Sequence, residues 1–399
     1  MKRLERAASR AFSIEDLRRA ARSQLPRAIF DFFDGGAEDE ITLRENCASL
    51  QKARLVARVL RDVSSVDTQA NLLGKSSTLP LAIAPTGALG YGRPGADLAI
   101  AKAASAAGIP YSLSSSATVS IETIAKEAPG RHWFQAYILS NKPFLASLIH
   151  RAQAADYEAL MITVDLPVGG KRERDFRNDF KVPFSFTAKN VWDFAQHPAW
   201  ALQMLKNGVP VMENLKGLEA TGSASRESSG RPSPSQASAI ASSVGRNYDS
   251  SFDWDALQKI RNDWPRRLIV KGVVHPEDAM RLAAMGVDAV VVSNHGGRQL
   301  DAGIATFDAL PTIVEAVQGK TAIWMDGGIR RGSDVVKALA AGAQAVLIGR
   351  ATLFGAVAFG EAGAHRAIQI LQDELRRTMQ LCGVRNLAEI DLKLLKQRS

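Results

Sequence analysis

The chain has 399 residues, 46% hydrophobic and 23% charged, with 50 Lys/Arg against 41 Asp/Glu and a net charge of +9. This composition excludes a disordered or collagen-like chain, and no run of about 18 uncharged apolar residues is present to form a membrane-crossing helix. Cys47 and Cys382 stand far apart and outside any CxxC pair, which argues against a disulfide framework or metal site and for a reducing compartment, the cytoplasm. The positive charge is scattered, without the Lys/Arg block interleaved with aromatics that would point to nucleic acid.

The basic start, Met1 to Arg6, is followed by no apolar stretch, so no secretory signal is expected. Ser13 and Asp16 have the spacing of a capping box ahead of Leu17 and predict a helix start. Leu25-Pro26 interrupts that helix, and the apolar run from Ile29 to Phe33 stops at Gly35-Gly36. Such an extension either caps the bottom of a domain or reaches its active face.

Eight short apolar segments then predict strands, at 81–85, 110–114, 133–139, 159–165, 267–273, 288–294, 322–327 and 345–350. Stretches of helical length lie between most of them, such as 96–107, 143–155, 276–285 and 333–341. Alternating strands and helices argue for parallel βαβ units. Eight units argue for one (β/α)8 TIM barrel of the α/β class, carrying an N-terminal helical extension. A doubly wound open sheet competes, but Pro85-Thr86-Gly87 after the first strand is not GxGxxG.

About a hundred residues separate strands four and five, and within them 181–250 form a long insertion. Its first part, 184–215, carries Phe184, Phe186, Trp192, Phe194 and Trp200. This part suits either a lid over the barrel mouth or an interfacial membrane segment. Its second part, 221–245, holds nine serines in 25 residues and reads as a flexible linker.

Barrel active sites lie at the C-terminal strand ends, and the polar residues fall there. The ends carry Pro85-Thr86-Gly87, Ser114, Gln135 and Tyr137, Thr163 and Asp165 with Arg172 beyond, and Lys271. Strand six ends in Ser293-Asn294-His295-Gly296-Gly297-Arg298-Gln299. A histidine base beside an arginine that can hold a carboxylate is what removing a proton from an anionic substrate needs. Asp165 is a natural partner to fix the His295 tautomer. Strands seven and eight end in Asp326-Gly327-Gly328-Ile329-Arg330 and Gly349-Arg350. Two glycine loops, each with an arginine, predict a phosphate site. Lys271 in an apolar strand suits either a Schiff base or the stabilisation of an anion.

From about residue 12 to 385 these motifs resemble the FMN-dependent α-hydroxy-acid dehydrogenase/oxidase family, which includes glycolate oxidase, L-lactate dehydrogenases and mandelate dehydrogenase. The heptad at 293–299 matches the family signature, and Leu25-Pro26, Gly35 to Glu40, Pro85 to Gly87, Gln135 to Tyr137, Thr163 to Asp165 and Asp326 to Gly332 match with it. Arg172-Glu173-Arg174-Asp175 and the aromatic insertion resemble the membrane-associated L-lactate/(S)-mandelate branch.

The resemblance implies FMN as cofactor and a small (S)-2-hydroxy acid as substrate. It gives His295 as base oriented by Asp165, Arg298 and Arg172 on the substrate carboxylate, and Tyr137 on its hydroxyl or carboxylate. Lys271 would sit at the flavin N1/O2 edge, in place of the Schiff-base role. Ser114, Gln135, Thr163 and Ser293 would bond the ring or ribityl chain, with Pro85, Thr86 and Gly87 at N5. It also implies a quinone or cytochrome acceptor, a homo-oligomer (a tetramer), and peripheral contact with the inner face of the cytoplasmic membrane.

Three positions depart from parts of the family. Phe32 stands where a carboxylate-binding tyrosine is usual, removing a hydrogen bond worth about 1.5–3 kcal/mol to a charged acceptor. Ser116 replaces the tryptophan of glycolate oxidases, leaving room for a larger substrate side chain. Gly87 replaces the alanine typical of the oxidases and leans toward a dehydrogenase. A soluble oxidase making H2O2 from O2 is the alternative. A non-catalytic barrel binding a phosphate ligand is a second alternative.

Overall fold

The computed structural model describes residues 2–180, 187–218 and 247–396. Eight parallel strands close into a barrel in which each pairs with its sequence neighbours and the last returns to the first. They are β1 (Leu81–Ile83), β2 (Tyr111–Ser114), β3 (His132–Tyr137), β4 (Ala159–Thr163), β5 (Arg267–Val273), β6 (Ala289–Val292), β7 (Ala322–Met325) and β8 (Ala345–Ile348). The closed ring rules out the open doubly wound sheet.

The two-residue period of a strand explains how one barrel holds both a core and a site. Alternate residues point inward. Near the bottom these are apolar: Trp133 of β3 stacks on Trp324 of β7, with ring centroids 5.1 Å apart, among Ala159, Ile269, Ala289 and Ala345. Truncating either tryptophan would cost about 3–5 kcal/mol. The outward set, including Phe134, Leu160, Val270, Val290 and Val346, packs against the helices. Toward the mouth the inward residues turn polar: Gln135 and Tyr137, Thr163, Lys271, Ser293 and Asp326.

The N-terminal extension starts as the capping signal predicts. Ser13 Oγ accepts from Asp16 N at 3.1 Å and Asp16 Oδ2 accepts from Phe12 N at 2.9 Å, opening the helix Ile14–Gln24. A second helix, Arg27–Asp34, follows Pro26. Arg18 grips Asp34 with two bonds of 2.6 and 2.9 Å, joining the two helices. Of the two destinations, the extension takes the active face: the carbonyls of Phe33 and Gly35 accept from Arg350 at the mouth.

The insertion contributes helices Ala188–Ala195 and Pro198–Asn207. Trp200 is buried and donates to the Tyr91 carbonyl at 2.8 Å. Buried Asn214 donates to Val119 O and accepts from Ile121 N. The segment therefore packs on the loops after β1 and β2, as a lid would. The same helices also leave Val191, Trp192, Leu202 and Leu205 exposed, the last at 83%. Phe184, Phe186 and the serine-rich stretch at 221–245 lie outside the described residues.

Candidate active site

A cavity of about 580 Å³ opens at the C-terminal ends of the strands, within the range of small-molecule and cofactor pockets. Its walls include Pro85, Thr86, Gly87, Tyr137, Arg172, Lys271, His295, Arg298 and the run from Asp326 to Arg330 with Gly349 and Arg350.

His295 is brought in by an unusual backbone. It holds φ +58°, and Gly296 and Gly297 follow at +63° and +75°. A β-branched or bulky side chain is disfavoured there, and two glycines relieve the turn. Ser293 Oγ accepts from His295 N at 3.1 Å. Asp165 Oδ1 lies 3.0 Å from His295 Nδ1. An ionised carboxylate only accepts, so Nδ1 carries the hydrogen and the Nε2 lone pair is left toward the cavity. Tyr137 Oη stands 3.5 Å from that Nε2.

Burial pushes the His295 pKa below its ordinary value, with Lys271 and Arg298 adding to the effect and Asp165 opposing it. Burial works against the Asp165 charge too, but His295 and Lys271 outweigh it and hold the carboxyl below its usual range. A neutral imidazole beside a charged carboxylate is the resting state of a general base.

Lys271 is 4% exposed. Its Nζ lies 3.2 Å from Asp326 Oδ2 and donates to Ser293 Oγ at 2.9 Å. Burial alone would lower its pKa, but Asp326 and Asp165 raise it overall. A persistently protonated amine is a fixed cation and a poor Schiff-base nucleophile.

Across the tips of β2, β3 and β4, Ser114 Oγ donates to Gln135 Oε1 at 3.0 Å, and Gln135 Nε2 donates to Thr163 Oγ1 at 3.0 Å. The predicted polar row is thus one connected chain. A methyl group at Gly87 would stand 2.9 Å from Ser116 Cβ, so the β1 and β2 tips meet without spare room.

The arginines divide by partner. Arg172 is tied to Asp175 at 2.7 Å. Arg298 Nη1 donates to the carbonyls of Phe32 and Gly35 at 2.8 and 2.9 Å, leaving Nε and Nη2 for an anion. Both guanidinium carbons stand 5.4 Å from the centre of the Phe32 ring, which stacks on Phe180 at 4.7 Å. Burial, then Arg172 and Arg350, pulls Arg298 down to about 9. Burial, then Arg330, pulls Arg350 down to about 10. Both remain charged at neutral pH, and the crowded cations favour an anionic ligand. Arg350 spends three of its five N–H groups on the carbonyls of Phe33, Gly35 and Gly296. Arg330 Nη1 bonds its neighbour Ile329 O. Of the predicted phosphate arginines, Arg350 is therefore also a brace.

The donor set suits FMN. Gly327 and Gly328, at φ +90° and +79°, form a left-handed turn in the cavity wall. Asp326, in the cavity wall, has a buried Oδ1 without a hydrogen-bond partner, an acceptor a cofactor donor could satisfy. Tyr91, Met212, Phe180 and Tyr248 also line the cavity and escape the sequence reading. Tyr248, whose ring is 5.5 Å from Tyr137, arrives from just beyond the serine-rich stretch because 247–249 pairs with the chain leaving β3. The nearest signal is a lone aromatic ending a polar run.

The chain is similar to known proteins over most of its length. A family model described as FMN-dependent dehydrogenase matches residues 21–397. (S)-Mandelate dehydrogenase of Pseudomonas putida is 41% identical over 372 residues, 93% of this chain and 90% of that protein. L-lactate dehydrogenase of Caulobacter vibrioides is 40% identical over 390 residues, covering 97% and 98%. A crystal structure of monotopic membrane protein (S)-mandelate dehydrogenase superposes with TM-score 0.91 at 38% identity, over 98% of this chain and 100% of that one. A mandelate oxidase structure superposes at 0.77 with 32% identity, over 97% and 99%. The chain belongs to the FMN-dependent dehydrogenase family and is an FMN-using oxidoreductase.

Proposed function

We propose that the chain oxidises an (S)-2-hydroxy acid, lactate- or mandelate-like, to the 2-oxo acid and passes the electrons to a quinone or cytochrome. The observation that carries this reading is His295, held by Asp165 at 3.0 Å, lining a cavity together with Arg172 and Arg298. His295 Nε2 accepts a proton from the substrate as its carbinol carbon is oxidised. Asp165 stabilises the imidazolium so formed. Arg298 and Arg172 hold the carboxylate, and Tyr137 lies within reach of the substrate hydroxyl. FMN, when bound, would take up the two electrons and the second hydrogen. Ser114, Gln135, Thr163, Lys271 and Ser293, with Pro85 to Gly87, would hold its ring and ribityl chain. Asp326 to Arg330, Gly349 and Arg350 would hold its phosphate end.

Anaerobic bleaching of the flavin absorbance across glycolate, lactate and (S)-mandelate tests the reading. Bleaching by at least one, abolished in His295→Gln with FMN retained, is expected; no bleaching by any of them, or bleaching that survives in His295→Gln, refutes it. The structural likeness to mandelate oxidase keeps a second reading, in which O2 is the acceptor. Rapid H2O2 release in air with slow reoxidation by a quinone would select it.

Peripheral membrane contact belongs to the same proposal. Among the described residues no helix is long and apolar enough to cross a bilayer. Trp192, Leu202 and Leu205 are exposed on the two helices of the insertion, and large apolar side chains of this kind suit the headgroup boundary. Serine at all three positions should abolish co-sedimentation with vesicles and spare turnover with a soluble dye. Undiminished co-sedimentation would refute the contact.

A further inference from the structure

We infer that Asn46, outside every motif so far discussed, is a positioning residue that sets the His295 loop against the glycine loop after β7. The inference rests on the reading of His295 as base. Asn46 lies on the helix Ile41–Lys52 and is 1% exposed.

Asn46 and Asn294 form a reciprocal amide pair. Asn46 Nδ2 donates to Asn294 Oδ1 at 2.8 Å, and Asn294 Nδ2 donates back to Asn46 Oδ1 at 2.9 Å. Backbone groups fix both orientations. Gly297 N donates to Asn294 Oδ1, Ile304 O accepts from Asn294 Nδ2, and Thr306 N donates to Asn46 Oδ1. The Asn294 amide thus uses both its hydrogens and both its acceptor sites. A flipped amide would face donors with donors.

The pair straddles the strained residue. Asn294 precedes His295 and its oxygen holds Gly297 N at 3.2 Å, so it closes the turn containing all three left-handed residues. Such backbone is strained at a non-glycine residue and persists only where its surroundings enforce it. Asn46 is one of the parts of those surroundings that come from the N-terminal extension, beside Ala37, whose N–H donates to Gly297 O at 2.9 Å. It also reaches the cofactor side. Thr306, bonded to Asn46 through its N–H, donates its hydroxyl to Asp326 O at 2.6 Å. A Cβ on Gly327 would stand 3.4 Å from the Asn46 side-chain nitrogen, and one on Gly328 would stand 2.2 Å from the Asn46 main-chain oxygen. One buried amide therefore ties the loop carrying the base to the loop offered to the FMN phosphate. Its role is to hold the spacing between His295 and the flavin.

The test uses FMN-loaded Asn46→Ala and Asn46→Asp beside His295→Gln. In Asn46→Asp the shape remains, but an acceptor replaces the donor that faces Asn294 Oδ1. Turnover per bound flavin should fall on the order of 10- to 100-fold, the usual penalty for a misplaced reacting group. The KM for the 2-hydroxy acid should stay within about threefold, since the arginines are untouched. The acid limb of kcat/KM should move up toward the ordinary histidine value as the loosened loop admits water. Asn46→Asp should be the worse of the two. A residue that merely stabilises the fold would lower flavin content and leave turnover per flavin and the acid limb unchanged, which overturns the proposal. Loss of fold or flavin in both variants assigns Asn46 to the fold and overturns it too. If His295→Gln remains active, the base reading itself fails; if only that variant is inactive, the base stands and the positioning role falls.

Discussion

Replacing Asp165 by asparagine removes the charge from the His295 pair with the least change of shape. Asp165 Oδ1 lies 3.0 Å from His295 Nδ1, and Lys271 and Arg298 both disfavour a charged imidazole. Asp165 is the group that offsets them. A hydrogen bond to a charged group contributes about 1.5–3 kcal/mol, and each 1.4 kcal/mol or so is a factor of ten in rate. The plateau of kcat/KM should therefore fall by about 10- to 150-fold. The pH profile carries a second, independent sign. His295 titrates below its ordinary value, so the acid limb of the parent enzyme should lie below about pH 6.5. Asp165 favours the imidazolium, so its loss should move that limb lower still while the plateau drops. Anaerobic stopped-flow bleaching of the flavin from about pH 5 to 8, the window in which histidine titrates, reads both effects. An unchanged plateau, or a limb that moves upward, would refute the assignment of Asp165 as the partner that steadies the imidazolium.

Lys271→Met leaves Asp326 and Asp165 without their buried cation, and breaking a buried pair costs about 3–5 kcal/mol. The melting temperature and the fraction of FMN retained after gel filtration should both fall, and an unchanged melting curve would contradict the pairing. Gly87→Ala places a methyl 2.9 Å from Ser116 Cβ. It should shift the visible flavin spectrum and slow bleaching without emptying the site, and identical spectra and rates would show that the tips yield freely. Phe32→Tyr restores a hydroxyl beside Arg172 and Arg298. The KM for a small substrate such as lactate should drop about tenfold or more at nearly constant kcat, from a bond of about 1.5–3 kcal/mol. A raised KM would mean that the ring's contacts with the two arginines matter more than the hydroxyl.

The barrel and most of its polar mouth are legible in the sequence because both follow from a local rule. A strand exposes every second residue to the interior, so Lys271 within Leu268-Ile269-Val270 and Gln135 within Trp133-Phe134 announce inward polar positions without knowledge of the fold. The heptad at 293–299 is legible for the same reason: glycines after a β-branched run mark a strand end. Other parts depend on partners far away in the chain. Asn46 sits in an unremarkable helix, and its meaning comes from Asn294, 248 residues on. Arg350 reads as a phosphate ligand, yet three of its N–H groups brace the N-terminal extension and the His295 loop. The insertion reads as either lid or membrane face. Its helices bury Trp200 against the loop after β1, as a lid would, and leave Leu205 exposed.

The brace made by Arg350 also bears on how the protein is made. Its guanidinium closes onto the carbonyl of Phe33, 317 residues earlier in the chain. At about 5–20 residues per second, a ribosome needs on the order of 15–60 s to span that interval. For that time the helix carrying Ile29, Phe30 and Phe33 has been synthesised, but the last strand that anchors it has not. Nascent chains of this enzyme should therefore be clients of holding chaperones, and the Phe33 carbonyl should gain its partner only after Arg350 has left the exit tunnel.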